Sequence, residues 1–234
     1  MSQFWKDVWT ALHVISKTYE PQRDSVIDSY KCIFDCLTVL LPENNYRNNL
    51  YSYIEQTNFY NIILNGGDPK NVEDTAFLWS YKLHNYINFI YNTQNKGVDK
   101  KVIPTLEDVM KKYNNINKTM WGNSIWIMMH FIAANLPSNS LSREEKISFK
   151  AFIVCIRYLL PCEECRNHMN SFLETVSLDD FLNTGLDVFT WTWNFHNNVN
   201  KRLGKNFTNT LEERDRLYTI YRLKKEEYEM IDFP

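Results

Sequence analysis

Two cysteines separated by two residues stand out first: Pro161-Cys162-Glu163-Glu164-Cys165. A proline followed by a helix-compatible run puts the pair at a helix start. A helix N-terminus favours the thiolate, which is the nucleophile of disulfide exchange. The three-residue step also lets the two sulfurs meet with little backbone change. A redox disulfide is therefore one chemistry open to the pair. A structural metal is a second, since Cys155, Cys162, Cys165 and His168 nominally offer four ligands. Zinc sites usually pair two such knuckles and only one is present, so no metal is expected. Two ordinary buried thiols are the third reading. His168, three residues past Cys165, reads as an accessory acid or base or as a solvated helix histidine.

The elements that must hold this pair repeat along the chain. Trp9-Thr-Ala-Leu-His13 matches Trp126-Ile-Met-Met-His130, and Cys36-Leu-Thr-Val-Leu-Leu-Pro42 matches Cys155-Ile-Arg-Tyr-Leu-Leu-Pro161. Trp79-Ser-Tyr-Lys-Leu-His84-Asn85 with Asn88 matches Trp191-Thr-Trp-Asn-Phe-His196-Asn197 with Asn200. The order is kept and the offset shifts only from 117 to 119 to 112 residues. Such internal similarity indicates one module used twice. The expected organisation is residues 1–100, residues 112–210 and a charged helical tail over 211–234, with a polar joint near Asn92–Lys101.

Within each copy the period is helical. Trp126, Met129, His130 and Ala133 fall at i, i+3, i+4 and i+7, and Phe152, Cys155, Ile156 and Leu159 do the same. A helix is expected over Leu106–Tyr113, another over Cys162–Leu173, a short one near Leu178–Leu182, and a long one through Trp191 and Val199 that stops near Gly204. No stretch shows sustained strand alternation. The fold class is thus all-α, two tandem small bundles. Composition agrees, with 6 Gly and 7 Pro in 234 residues. The 44% hydrophobic content supports a core, and 15% aromatics suit thick packing or stacking on a flat ligand. A net charge of −2 does not point to nucleic acid. No run is long and apolar enough for a membrane span, and the start MSQFWKDVWT is not a signal peptide.

The two copies differ where chemistry would sit. Glu43 and Tyr46 stand at the positions of Cys162 and Cys165, while Leu-Leu-Pro and Arg-Asn survive on either side. A scaffold kept in both copies with a thiol pair in only one implies that the pair serves something other than folding.

Trp126-x-x-x-His130, Pro161-Cys162-Glu163-Glu164-Cys165 and His196-Asn197-x-Val199-Asn200-x-x-Leu203-Gly204-Lys205, with Gly122 ahead of them, resemble the Erv/ALR family of FAD-linked sulfhydryl oxidases. The resemblance covers about residues 119–205. The tandem layout is similar to the sulfhydryl oxidases of baculoviruses and other large DNA viruses and to the Erv part of quiescin sulfhydryl oxidases. It implies FAD as cofactor, dithiol substrate proteins and dioxygen as partners, and hydrogen peroxide as product. Cys162 would be the interchange thiol, and Cys165 would lie against the flavin as the charge-transfer thiolate. Gly122, Trp126, His130, Trp191, His196, Asn197, Val199, Asn200 and Lys205 would line the flavin site. The viral likeness would place the protein in host cytoplasm, nucleus or virion, and it allows a homodimer beyond the intrachain pairing.

Residue chemistry agrees with this. Taken singly, Trp126 reads as core and His130 or His196 as a hydrogen-bonded core histidine. Together, tryptophan, histidine and asparagine on two helices form a flat slot with polar edges. There is no GxGxxG, so a Rossmann flavoenzyme is excluded. The first copy keeps Trp9, His13, Trp79, His84, Asn85 and Asn88 without the thiols, so its expected role is structural. Asn135 replaces a family tyrosine, and no cysteine follows Cys165. The alternative to an oxidase is a non-catalytic helical interaction module with structural cysteines.

Overall fold

The computed structural model of the chain describes residues 4–20, 23, 25–42, 44–57, 59, 72–94 and 100–223. Among these the regular structure is helical throughout: α1 Phe4–Lys17, α2 Val26–Leu40, α3 Asn44–Thr57, α4 Val72–Gln94, α5 Leu106–Tyr113, α6 Lys118–Ala134, α7 Arg143–Leu159, α8 Glu163–Thr175, α9 Gly185–Arg202 and α10 Leu211–Tyr221. A short 3-10 turn, Asp179–Phe181, links α8 to α9. The expected all-α class, the helix over Leu106–Tyr113 and the stop at Gly204 (φ +63°) are all present. Among the described residues no helix is long and apolar enough to cross a membrane.

Local chemistry explains where these helices begin. Thr105, Asn117 and Thr210 each place a side-chain oxygen on a first-turn N–H. Ser142 with Glu145 and Thr184 with Asp187 form reciprocal capping boxes on α7 and α9. Each such cap contributes about 1 kcal/mol. The start of α9 is pinned further by Gly185 N–H, which donates to Pro137 C=O at 2.7 Å. This close approach requires glycine, because a Cβ there would lie 2.5 Å from the Leu136 carbonyl oxygen.

The helices pack in matched pairs. α1 lies on α4, and α6 lies on α9. α5 packs on α1 and α4, as α10 does on α6 and α9. α1 meets α6, and α2 runs along α7, joining the two sets of helices through one continuous core. Phe131 of α6 sits in that seam, 5.4 Å from Trp5 and 5.8 Å from Phe4 between ring centroids. The tail's Tyr221 also stacks on Phe4 at 4.9 Å. The first part of the charged tail is therefore docked. Asn135 Nδ2 donates to the Tyr221 carbonyl at 2.9 Å, and Leu223 N–H donates to Asn135 Oδ1 at 2.8 Å. At the joint, Asn92 brackets Lys101 by accepting from its N–H at 2.6 Å and donating to its carbonyl at 2.8 Å. Residues 65–71, which include Gly66 and Gly67, and residues 224–234 lie outside the described set.

Candidate redox site

Cys162 and Cys165 are joined as a disulfide with Cα atoms 5.1 Å apart. Cys162 is the N-cap of α8, and its sulfur accepts from Cys165 N–H at 3.2 Å. Both cysteines are half-buried. The exposed N–H groups and dipole of α8 stabilise negative charge on these sulfurs. Glu163 and Glu164 in the first turn oppose that, but Arg202, at the end of α9, pairs with Glu164. The same pair ties α9 to the start of α8.

A cavity of about 420 Å³ opens beside Cys165. Its wall includes Gly122 and Trp126 from α6, His168 from α8, and His196, Val199 and Asn200 from α9, with Lys205 beyond the helix end. Trp126 and His196 stack nearly parallel, 4.2 Å apart with 7° between planes. A Cβ built on Gly122 would meet nothing within 4 Å, so that part of the wall stays open.

A polar relay runs behind the stack. The Thr192 hydroxyl donates to Phe189 C=O at 2.8 Å, so it can only accept from His130 Nδ1, 2.9 Å away. His130 Nε2 is then an acceptor, and His196 Nδ1 donates to it at 3.0 Å. This leaves His196 Nε2 as an acceptor on a cavity-lining ring. The relay requires both rings neutral, and burial ensures it. Burial, then electrostatic coupling to His196, holds His130 well below the ordinary 6.5. Burial, with Lys205 adding to it, brings His196 down to about 4. His168 is also lowered, by burial first and then Arg202, against a hydrogen bond to Asn198. Its Nε2 is buried with no partner.

Three residues expected in the lining are placed elsewhere, and Cys162, expected as the outer thiol, is not part of the wall. His130 is buried beneath His196 and reaches the cavity only through it. Trp191 is fully buried, and its Nε1–H donates to Val176 C=O at 3.3 Å, which makes it a core residue. Asn197 turns toward the loop ahead of α10, donating to Asn209 Oδ1 at 3.3 Å. Helix geometry explains the two on α9. Phe195, His196, Val199, Asn200 and Leu203 share one face, Asn197 is a further 100° round, and Trp191 is a turn deeper.

Sequence reasoning missed Trp121, Met129, Ile156, Met169, Phe195 and Arg202 in the wall. All but Arg202 are apolar or aromatic, and such positions are indistinguishable from core until the helices are assembled. The nominal metal set does not assemble either, and among the described residues no group of three or more His, Cys, Asp or Glu side chains is arranged to hold a metal ion. Cys155 instead meets Cys32 and Cys36, whose sulfurs are 3.8 Å apart, where α7 packs on α2.

A second cavity of about 410 Å³ lies among α1, α4 and α5, lined by Trp9, His84, Asn88 and Lys101. Here Trp9 and His84 stack at 4.0 Å and 5°. Ser80 donates to Phe77 C=O, His13 Nδ1 donates to Ser80 at 3.1 Å, and His84 Nδ1 donates to His13 Nε2 at 3.0 Å. Tyr46 takes the position of Cys165.

The Erv1 / Alr family model matches residues 123–217. The chain is 36% identical over 113 residues to an FAD-linked sulfhydryl oxidase of African swine fever virus, covering 48% of this chain and 92% of that one. Protein 096R of Invertebrate iridescent virus 3 is 35% identical over 92 residues, and the match spans 39% of this chain and 61% of the relative. The FAD-linked sulfhydryl oxidase ERV1 of Oryza sativa is 28% identical over 101 residues, 42% of this chain and 50% of that one. Among solved structures, the sulfhydryl oxidase fragment of human QSOX1 shares the fold, with a TM-score of 0.52 at 17% identity, covering 92% of this chain and 94% of that one.

Proposed function

Because the chain belongs to the Erv1 / Alr family, we propose that its FAD-linked sulfhydryl oxidase activity runs through the Cys162–Cys165 disulfide. The observation that carries this reading is the placement of Cys165 in the wall of the cavity that Trp126 and His196 also line. Those residues fit a flat, hydrogen-bonding group. The Trp126–His196 stack offers a ring surface, His196 Nε2 an acceptor, and the unpartnered His168 Nε2 a further polar contact. Gly122 leaves room beside them, and Lys205 supplies a cation for phosphate.

In this reading a substrate thiolate attacks Cys162 Sγ. A mixed disulfide forms, the Cys162–Cys165 bond breaks, and Cys165 leaves as a thiolate stabilised by the N-terminus of α8. A second substrate thiolate then attacks the substrate sulfur of the mixed disulfide, completing the substrate's disulfide and releasing Cys162 as a thiol. Two electrons now rest on the Cys162/Cys165 pair, on the side that faces the cavity. FAD, when bound, supplies the two-electron and dioxygen chemistry that side chains lack, with hydrogen peroxide as the product. Neutral His130 and His196 leave Arg202 and Lys205 as the cationic groups of the cavity wall.

The partners of this reading are proteins bearing dithiols, and dioxygen. The sequence repeat and the pairing of α1 with α6 and α2 with α7 support a two-part organisation, residues 1–100 and 112–210, in which the first part is the intrachain partner of the second. The viral relatives support a place in an infected cell or a virion.

The test is optical and kinetic. The purified chain supplied with FAD should be yellow and consume oxygen with dithiothreitol. Cys165→Ala should keep the flavin and lose the oxygen uptake. A chain that binds no FAD, or uptake unchanged in Cys165→Ala, overturns the reading.

A further inference from the structure

The cavity among α1, α4 and α5 keeps half of the redox site and replaces the other half. Its ring stack and histidine relay repeat those of the redox cavity to within 0.2 Å. The same hydrogen-bond order leaves His84 Nε2 as an acceptor on a lining ring. At the other end, Trp5 stands in the place of Gly122 and Tyr46 in the place of Cys165. Their rings stack at 4.3 Å and 15°, and both are buried. The position where a flavin ring would meet the redox sulfur is thus filled by two aromatic side chains.

What remains open carries positive charge. Lys6, Lys101 and Lys112 line the cavity with one carboxylate, Asp108, and a second carboxylate, Asp7, lies within electrostatic reach of Lys6 and Lys112. Asp108 is already engaged as an acceptor of the Thr105 hydroxyl at 2.7 Å. The lysines act on the relay as well. Burial brings both His13 and His84 down to about 3, with Lys112 contributing to each and Lys101 also to His84. A neutral acceptor nitrogen beside a ring stack, under a cluster of ammonium groups, suits a flat base with a donor amine and a phosphate tail. A cavity of about 410 Å³ is in the range of small-molecule sites.

We propose that this cavity is a second, non-redox ligand site that takes an adenine mononucleotide. The adenine amine donates to His84 Nε2, the ring lies against the Trp9–His84 stack, and the phosphates meet Lys101 and Lys112. The site is independent of the oxidase chemistry, since no cysteine lines it.

Equilibrium dialysis of ADP against the FAD-loaded full-length protein tests this. The expected result is one ADP per chain without flavin release. Binding should be about tenfold or more weaker in Lys101→Glu/Lys112→Glu, with flavin absorbance and dithiothreitol oxidation unchanged. Purine riboside diphosphate, which has no donor on that edge of the ring, should also bind about tenfold less tightly, consistent with loss of one hydrogen bond to a buried acceptor. Added salt should weaken binding. No ADP binding at millimolar concentration overturns the proposal. So does binding that is indifferent to the lysine charge reversal, binding that releases flavin, or a second flavin bound per chain.

Discussion

At the scale of single residues, the two histidine pairs are the most consequential feature. Each relay uses every hydrogen of its hydroxyl and inner imidazole, so a proton added to His13 or His130 has no acceptor to face. Burial therefore keeps these rings neutral well below 6.5, down to about 3 for His13 and His84 and about 4 for His196. In the unfolded chain the same rings protonate near 6.5. Below that pH the unfolded state binds protons that the folded state refuses, so stability rises with pH through this window. It is complete above about 6.5. Thermal melts between pH 7.5 and 4.5 should show the midpoint constant at the upper end and falling steadily below 6.5. A flat midpoint across that range would count against the relay.

At the scale of elements, α9 matters most, because its register decides which of its residues reach the cavity. That register is set at its start by the Thr184–Asp187 capping box and by the approach of Gly185 to the Leu136–Pro137 backbone. Gly185→Ala puts a methyl 2.5 Å from a backbone oxygen, which cannot move away as a flexible side chain would. It should cost about 1–3 kcal/mol in urea unfolding and displace His196 and Asn200 from the cavity. Gly122→Ala is the contrasting case. Its methyl meets no atom within 4 Å, and it lies inside α6. It should raise stability by about 0.5–1 kcal/mol through helix propensity, and weaken flavin retention by projecting into the cavity. Equal destabilisation by the two substitutions would refute this account of how α9 is positioned.

At the scale of the whole molecule, the two sets of helices share one core. α6 packs on α1 and α7 on α2 through buried side chains, among them Phe131, which meets Phe4 and Trp5, and Cys155, which meets Cys32 and Cys36. Residues 118–223 expressed alone would present that face to water, an exposed apolar area typical of association surfaces. The expected outcome is self-association or insolubility, read by size-exclusion chromatography with light scattering. A stable, folded monomer of that fragment would show that the first set of helices is not needed as a partner.

The sequence alone determined the helical class, most helix limits from Leu106 to Gly204, the repeat, and the cysteine pair at a helix start. These depend on local signals: a 3.6-residue apolar period, capping residues, breakers, and the spacing of two thiols. Family-like spacing also marked Trp126, His196, Val199, Asn200 and Lys205, which share a wall with Cys165. Tertiary structure decided what spacing cannot encode. It put His130 behind His196, sent Trp191 into the core and Asn197 to the outer loop, and brought Cys155 to Cys32 and Cys36 rather than to Cys162. It also set Tyr46 against Trp5, residues 41 positions apart that share no local pattern. Periodicity specifies which way a side chain leaves its own helix. What it then meets depends on how helices distant in sequence are rotated and shifted against one another, and that is set by the packing of the whole core.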